Sequence, residues 1–232
     1  MKARRPALDD IRNQPAYTLG EAARYLKLPP ATLRSWVVGR GYPTTKGREQ
    51  FRPVIRPAQP APALLSFWNL IEAHVLRALR VDHAVALKAV RSAVQFAERE
   101  LGLDRLLLRP ELRSKGGELF IERYGQLINV TASGQLAMKE LLDAHLRRVE
   151  WDAQKNPYRL HPFLATEMLS TAMPIAIDAG IAFGRPVLVS HGISTIAIVE
   201  RVDAGEALDE IAADYGLEVE DVRTAVLYER AA

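Results

Sequence analysis

Residues 17–36, Tyr-Thr-Leu-Gly-Glu-Ala-Ala-Arg-Tyr-Leu-Lys-Leu-Pro-Pro-Ala-Thr-Leu-Arg-Ser-Trp, leave the chain few ways to fold locally. Leu19, Ala22, Ala23 and Leu26 fall on one face of a helix. Ala23 is small where a second helix would cross closely. Thr18 stands at the N-cap and Glu21 follows three residues later, the spacing of a capping box. Leu28-Pro29-Pro30 makes a turn, and Pro30 is preset for the first turn of a next helix. Leu33, Trp36 and Val37 form that helix's buried stripe, leaving Thr32, Arg34 and Ser35 outward. This is the pattern of a helix-turn-helix, whose second helix enters a DNA major groove. The competing reading is an ordinary helical hairpin within a core, and the surroundings favour DNA.

Charge is part of those surroundings. Residues 1–56 carry twelve Lys/Arg against four Asp/Glu, a local net of +8. Residues 57–160 carry fifteen against twelve, and residues 161–232 four against twelve, so +3 and −8 follow. The total of +3 therefore hides a chain basic at one end and acidic at the other. A basic end suits a polyanion, because each phosphate contact releases counterions. An acidic end suits solvation or a basic protein partner.

A chain of 232 residues, 48% of them hydrophobic, can fill one large domain or two to three small ones. There is no cysteine, which excludes disulfides, thiolate metal sites and thiol nucleophiles. No apolar run is long enough to span a bilayer, and Met1-Lys-Ala-Arg-Arg-Pro has no apolar stretch behind it, so no secretory signal is expected. A cytoplasmic protein without a membrane partner is the expectation.

The fold class expected is α+β, mostly helical. Residues 1–16 are expected as a flexible lead, and residues 17–102 as a winged helix-turn-helix domain with its following helices. Within it, residues 38–56 read as a β-hairpin or wing, with Gly39, Gly41 and Gly47 at turns and Phe51, Val54 and Ile55 as anchors. Arg40, Lys46, Arg48, Arg52 and Arg56 interleave there with Tyr42 and Phe51. Basic residues on a wing hold phosphates and set register. With Thr32, Arg34 and Ser35 they make the candidate DNA-binding set. Pro57–Pro62 is a stiff connector. Ser66 caps a helix with the stripe Phe67, Leu70, Ile71, Val75 and Leu79, and Leu65 staples to Leu70. Asp82 is expected to cap the next helix, which ends at Gly102.

Residues 103–172 read as a small α+β middle unit. Glu118–Arg123 and Gln126–Val130 flank Tyr124-Gly125 as a predicted hairpin. A helix is expected over 133–149, and extended chain and loop over 151–162. Residues 173–232 read as two strands, near 173–177 and 185–189, followed by helices near 195–202, 207–215 and 219–229. The last two helices repeat a helix-turn-helix-like pattern. Asp209, Glu210, Asp214, Glu218, Glu220 and Asp221 surround it, a face that repels phosphates. A protein-binding or dimerisation module and a solvated helical cap both remain open for it.

Residues 17–36 with the basic wing through Arg48-Glu-Gln-Phe-Arg52 resemble the MerR-type winged helix-turn-helix, although Ser35 stands where those proteins usually carry an aromatic. Residues 183–195, Phe-Gly-Arg-Pro-Val-Leu-Val-Ser-His-Gly-Ile-Ser-Thr, and 204–217, Ala-Gly-Glu-Ala-Leu-Asp-Glu-Ile-Ala-Ala-Asp-Tyr-Gly-Leu, resemble a small bacterial domain long described only as of unknown function. With the linking stretch 65–80, the chain resembles the large VapB-type antitoxins of VapBC toxin–antitoxin systems. That resemblance implies two jobs, repression of operator double-stranded DNA and neutralisation of a PIN-domain ribonuclease toxin. PIN active sites are acidic and bind divalent cations, so the resemblance also implies an inhibitory arginine. Arg185, Arg201, Arg223 and Arg230 are the candidates for toxin binding, with no choice among them.

Two other functions compete. One is a MerR-like regulator answering to a small ligand, with Trp68, Trp151 and the aromatics near Tyr158 lining a pocket rather than a core. The other is an enzyme, which the sequence supports least. His74, His83, His145, His161 and His191 have no metal-ligand spacing, and Ser190-His191 lacks an acid partner. No GxSxG, HExxH or phosphate-binding glycine loop occurs. No catalytic residue, metal or cofactor is therefore expected. A homodimer is expected because helix-turn-helix proteins usually read paired half-sites.

Overall fold

The computed structural model describes residues 10–44, 47–51, 53–78, 87–128, 132–163 and 173–231. In chain order, β1 (Tyr17–Thr18) leads into α1 (Leu19–Tyr25) and α2 (Pro30–Val37). The hairpin β2 (Arg40–Thr44) and β3 (Gly47–Phe51) comes next, then β4 (Gln59–Pro60), β5 (Ala63–Leu65) and α3 (Phe67–Arg77). Three longer helices follow: α4 (Leu87–Leu101), α5 (Lys115–Ile128) and α6 (Ala132–Leu146). The strands β6 (Val149–Trp151), β7 (Pro157–Leu160), β8 (Ile175–Asp178) and β9 (Val187–Leu188) precede the terminal α7 (Thr195–Asp203), α8 (Leu208–Tyr215) and α9 (Val219–Arg230). The expected α+β, mostly helical class is what the chain adopts.

Local chemistry sets the helix starts. Thr18 Oγ1 accepts from Glu21 N at 3.2 Å, and Glu21 Oε2 accepts from Thr18 N at 2.8 Å. Two otherwise orphaned donors at the start of α1 are thereby satisfied. Ser66 and Asn69 do the same for α3, and Asn69 also reaches the Arg56 carbonyl at 2.9 Å. Leu65 and Leu70 are both fully buried beside that cap. Leu79 and Asp82 lie outside the described residues.

The strands form three small antiparallel sheets: β1-β5-β4, the β2-β3 hairpin, and β6-β7-β8-β9. One core runs through the first three-quarters of the chain, from Tyr17 through Trp68 and Phe120 to Ile177. A second, of Ile175, Leu188, Ile198, Ile211, Leu217, Val222 and Tyr228, belongs to the C-terminal unit. Each fully buried aliphatic or aromatic side chain in them contributes about 1.5–3 kcal/mol. Trp68 is core rather than pocket wall: its indole donates to the Pro157 carbonyl at 3.2 Å, with the Arg12 and Arg105 guanidiniums over its ring.

Three expectations need correction. The hairpin predicted at 118–130 is helix α5 through residue 128. Gly116, Gly117, Phe120, Ile121 and Gly125 are its buried positions among the described side chains, a helical spacing that β-prone Phe-Ile concealed. Gly125 turns no chain: a Cβ there would lie 2.7 Å from Gln135 Nε2 of α6, so its missing side chain makes room for that glutamine. The strand pair is instead β6-β7, where extended chain and loop were expected; Asp152 closes its turn by accepting from Gln154 N and Asn156 N at 2.9 Å each. Finally, residues 10–16 of the expected flexible lead are docked. Arg12 bridges Asp10 and Asp152 at 2.5 and 2.6 Å, and Ala16 N donates to the Leu65 carbonyl.

The C-terminal unit is locked onto α1 and β1. Tyr228 Oη donates to the Tyr25 carbonyl, and Tyr17 Oη to the Gly184 carbonyl, each at 3.0 Å. Gly184 has φ +75°, and a Cβ on it would sit 2.1 Å from Tyr17 Oη. Gly184→Ala is therefore expected to cost about 2–4 kcal/mol through left-handed strain plus overpacking. Gly192→Ala, at φ +69° with open space around it, should cost only the strain, about 1 kcal/mol. Urea denaturation of the two variants measures the difference, and equal losses would refute the Tyr17 contact.

His74 and His145 are buried together, with ring centroids 5.0 Å apart. His74 Nε2 meets the His145 carbonyl at 3.0 Å, and His145 Nδ1 the Leu141 carbonyl at 2.9 Å. Burial pushes His145 down to about 4, and pushes His74 well below the usual range, with repulsion from His145 adding to it. Both are neutral when folded, whereas unfolded histidine gains a proton near pH 6.5. The stability they contribute is present above that value and is lost as pH falls from about 6.5 toward about 4. His145 alone should account for a loss on the order of 3 kcal/mol across this window, with His74 adding to it, and a His145→Gln variant should show a shallower slope in denaturation measured at each pH.

Candidate nucleic-acid interface

Helix α2 presents its faces as its sequence implies. Pro30 takes the first helical position, Leu33, Trp36 and Val37 are buried, and Arg34 is exposed. Thr32 and Ser35 are half-buried, and the Ser35 hydroxyl donates to the Thr32 carbonyl at 2.7 Å. That bond occupies the Ser35 proton within the helix, leaving its oxygen as an acceptor.

The wing leaves from the C-terminus of α2. Strands β2 and β3 pair in antiparallel register, Arg40 opposite Phe51, Tyr42 opposite Glu49 and Pro43 opposite Arg48. The returning chain is tied to the helix: Val54 N and Ile55 N both donate to the Trp36 carbonyl, at 2.8 and 3.0 Å, and Ile55 is buried. One of the unpaired carbonyls at the end of α2 is satisfied this way, and the chain that follows the wing is anchored to the end of the helix. Arg40 and Arg48 stand in the paired strands and Arg56 is exposed beyond them. Lys46 and Arg52 lie outside the described residues. The structure thus places Thr32, Arg34 and Ser35 on α2, Arg40 and Arg48 on the hairpin that follows it, and Arg56 after the hairpin.

Residues that sequence reasoning passed over sit behind this helix-turn-helix. Lys27, in the turn between α1 and α2, adopts a left-handed φ of +51°. Its ammonium donates to the Tyr228 carbonyl and lies 4.1 Å from the centroid of the Tyr228 ring. Burial lowers its pKa to about 8, against an opposing pull from Glu229. Glu229 is itself buried; its Oε1 accepts from Thr195 Oγ1 at 2.5 Å, and its Oε2 lies 3.4 Å from Arg24. Arg24, Lys27, Tyr228 and Glu229 therefore clamp α9 to the first helix and turn of the reader. Spacings of some two hundred residues carry no periodic signal that could have revealed the clamp.

The four C-terminal arginines are not equivalent. Arg201 is held by Glu206 and, at 2.6 Å, by Asp214, and these carboxylates raise its pKa. Arg230 pairs with Asp203 at 2.8 Å and Arg223 with Glu220 at 3.6 Å. Arg185 is exposed and makes no ion pair among the described residues. Asp209, Glu210, Asp214, Glu218 and Glu220 are exposed on α8 and α9 and the turn between them. Ser190 and His191 are exposed in a turn. Among the described residues no group of three His, Asp or Glu is placed to hold a metal, and no helix is long and apolar enough to cross a membrane.

Residues 15–94 match a family described as "Putative DNA-binding HTH domain", and residues 175–228 one described as "Protein of unknown function (DUF433)". Over the whole chain, a Mycobacterium tuberculosis protein named "Putative antitoxin VapB45" is 30% identical over 230 residues, covering 91% of this chain and 92% of that one. The chain belongs to the family of that protein. A second relative from the same organism, "Uncharacterized protein Rv2308", is 24% identical and covers 96% of this chain and 93% of its own. The crystal structure of Rv2018 from Mycobacterium tuberculosis has the same fold, with a TM-score of 0.65 at 20% identity, over 91% of this chain and 97% of that one. The helix-turn-helix match ends inside α4, so it takes in the wing and α3 along with α1 and α2.

If Glu229 holds the clamp, Glu229→Ala leaves Arg24 and Lys27 facing the site without a carboxylate. The expected loss is about 1–3 kcal/mol, below the range for a fully buried pair because Arg24 is partly exposed. Thermal unfolding of the variant beside Arg230→Ala, whose pair is exposed on both sides and should cost under about 1 kcal/mol, tests the ranking.

Proposed function

We propose that this chain is an antitoxin that represses its own operon. In this reading α2 and the wing hold operator DNA, and the C-terminal unit binds and neutralises a PIN-domain ribonuclease. The observation that carries the DNA half is an exposed α2 face followed by a wing bearing Arg40 and Arg48, with the chain after the wing anchored to the Trp36 carbonyl. A helix presented beside a phosphate-holding hairpin is how winged readers fix register before reading base edges. The MerR-like likeness and a homodimer on paired half-sites are parts of this proposal. The toxin half rests on kinship with a protein named as an antitoxin over nearly the whole chain. Its candidate contacts are Arg185, Arg201, Arg223 and Arg230. The function is binding rather than catalysis, without cofactor or metal, in the cytoplasm.

A second reading, a regulator answering to a small ligand, has one observation in its favour. A cleft of ≈ 560 Å³ opens between α4 and α5, with the Arg123 guanidinium over Phe96 and Ser92, Gln95 and Arg99 around it. Ligand-dependent operator affinity with no nuclease captured would favour this reading.

Gel-shift titration tests the DNA half. Arg34→Ala is expected to weaken operator binding by about 1–3 kcal/mol and to relax base preference. Arg48→Ala should weaken all sequences alike and reduce the salt slope by about one. An unchanged footprint for Arg34→Ala would remove α2 from the groove.

A further inference from the structure

The loop between β8 and β9 holds an aromatic ring in solvent at a cost to the fold. Phe183 is 93% exposed, by far the most exposed large apolar side chain among those described. Its backbone is left-handed, at φ +56°, directly after Ala182 at φ +46°. Left-handed backbone costs a residue with a Cβ about 1–2 kcal/mol, and a ring in water recovers none of it by burial. Nothing among the described residues therefore accounts for a phenylalanine here.

The loop is nonetheless built to hold that ring out. Gly180 N donates to Asp178 Oδ1 at 2.8 Å and Ile181 N to the Asp178 carbonyl at 3.0 Å. Gly184 N returns to the Ile181 carbonyl at 2.9 Å and Arg185 N to the Ala182 carbonyl at 3.1 Å. Tyr17 Oη then pins Gly184 from the start of the helix-turn-helix. Ile181, 38% exposed, and exposed Arg185 flank the ring. Arg185 is also the only Lys, Arg, Asp or Glu between Asp178 and Glu200. In a C-terminal third whose net charge is −8, this loop tip offers one exposed arginine, felt by Glu21 of α1 but within ion-pair distance of no carboxylate among the described residues, next to a pre-placed aromatic.

We propose that the Gly180–Arg185 loop is the anchor by which the chain grips its nuclease, with Phe183 entering an apolar hollow and Arg185 meeting a carboxylate at the hollow's rim. The proposal rests on the antitoxin reading and chooses among its four arginines. An exposed aromatic beside an arginine, rigid before binding, is the composition of an interface hot spot and loses little entropy on docking. The partner is an acidic protein surface rather than nucleic acid, since phosphates would call for more than one cation at the tip. Arg201, Arg223 and Arg230 are already matched to carboxylates of their own unit.

The test uses the full chain and a purified PIN-domain ribonuclease from the same genome, with affinity read by calorimetry. Phe183→Ser and Arg185→Glu are each expected to weaken capture at least tenfold. Leu227→Ser, an exposed apolar position on α9, should change it less than twofold. Phe183→Gly, which suits the left-handed backbone, should lose capture without any fall in Tm, separating contact from folding. Wild-type capture matched by Phe183→Ser and Arg185→Glu would overturn the anchor and leave the antitoxin reading intact. No capture by wild type would overturn that reading and the anchor with it. Light scattering that shows Phe183→Ser turning a dimer into a monomer with capture intact would assign the loop to self-association and overturn the proposal.

Discussion

Two tyrosine hydroxyls hold the halves of this molecule together. Tyr228 closes the last helix onto the Tyr25 carbonyl at the end of α1, and Tyr17 closes the β8–β9 loop onto the strand that begins the reader. Each bond is worth only about 1 kcal/mol net. Their importance lies in what they exclude. With Tyr228 fully buried, its hydroxyl and the Tyr25 carbonyl would each be orphaned if the units parted without water reaching both. The Arg24, Lys27 and Glu229 charges around them satisfy one another in the same seam. The acidic third of the chain is consequently not a separate tail but the back wall of the basic third.

This seam gives a physical meaning to the charge asymmetry. Glu229, buried against Arg24 and near Lys27, neutralises the reader from behind. Arg34 is left exposed on α2, with Arg40 and Arg48 in the paired strands of the wing. The carboxylates of α8 and α9 that stay exposed stand on the unit that a phosphate backbone would avoid. A helix-turn-helix-like pattern therefore occurs twice in the chain with opposite surfaces, and the second copy spends part of its last helix on the first. A ligand of the C-terminal unit would act on the same rigid assembly that carries α2, because the β8–β9 loop and α9 both end on α1 or β1.

How much could be read in advance depended on distance along the chain. Thr18 and Glu21, Ser66 and Asn69, and Pro30 act within four residues of where they stand, so their roles followed from spacing. The terminal helices likewise ended within a residue or two of expectation, since Gly216 and the apolar stripe are local signals. The middle unit misled for the same reason. Phe120 and Ile121 are β-prone locally, and only packing of α5 against α4 and α6 makes their helical placement pay. Gly125 shows the ambiguity in one residue: a turn and room for a neighbouring helix's glutamine both require a missing side chain.

By itself the sequence determined the helix-turn-helix with its caps, the buried stripe of α2, the wing that follows it, and the segregation of charge. Each of these is a property of neighbours a few residues apart or of composition. Only the tertiary structure decided that the lead from Asp10 is docked, that Glu229 and Tyr228 clamp Lys27, and which C-terminal arginines are engaged with carboxylates. It also decided that Phe183 stands out on a strained loop. The docked lead and the clamp join residues about 140 and 200 positions apart, the arginine pairs up to 27, and Phe183 depends on a backbone angle that the surrounding bonds impose. Burial and hydrogen-bond satisfaction are settled only once the whole chain has closed on itself.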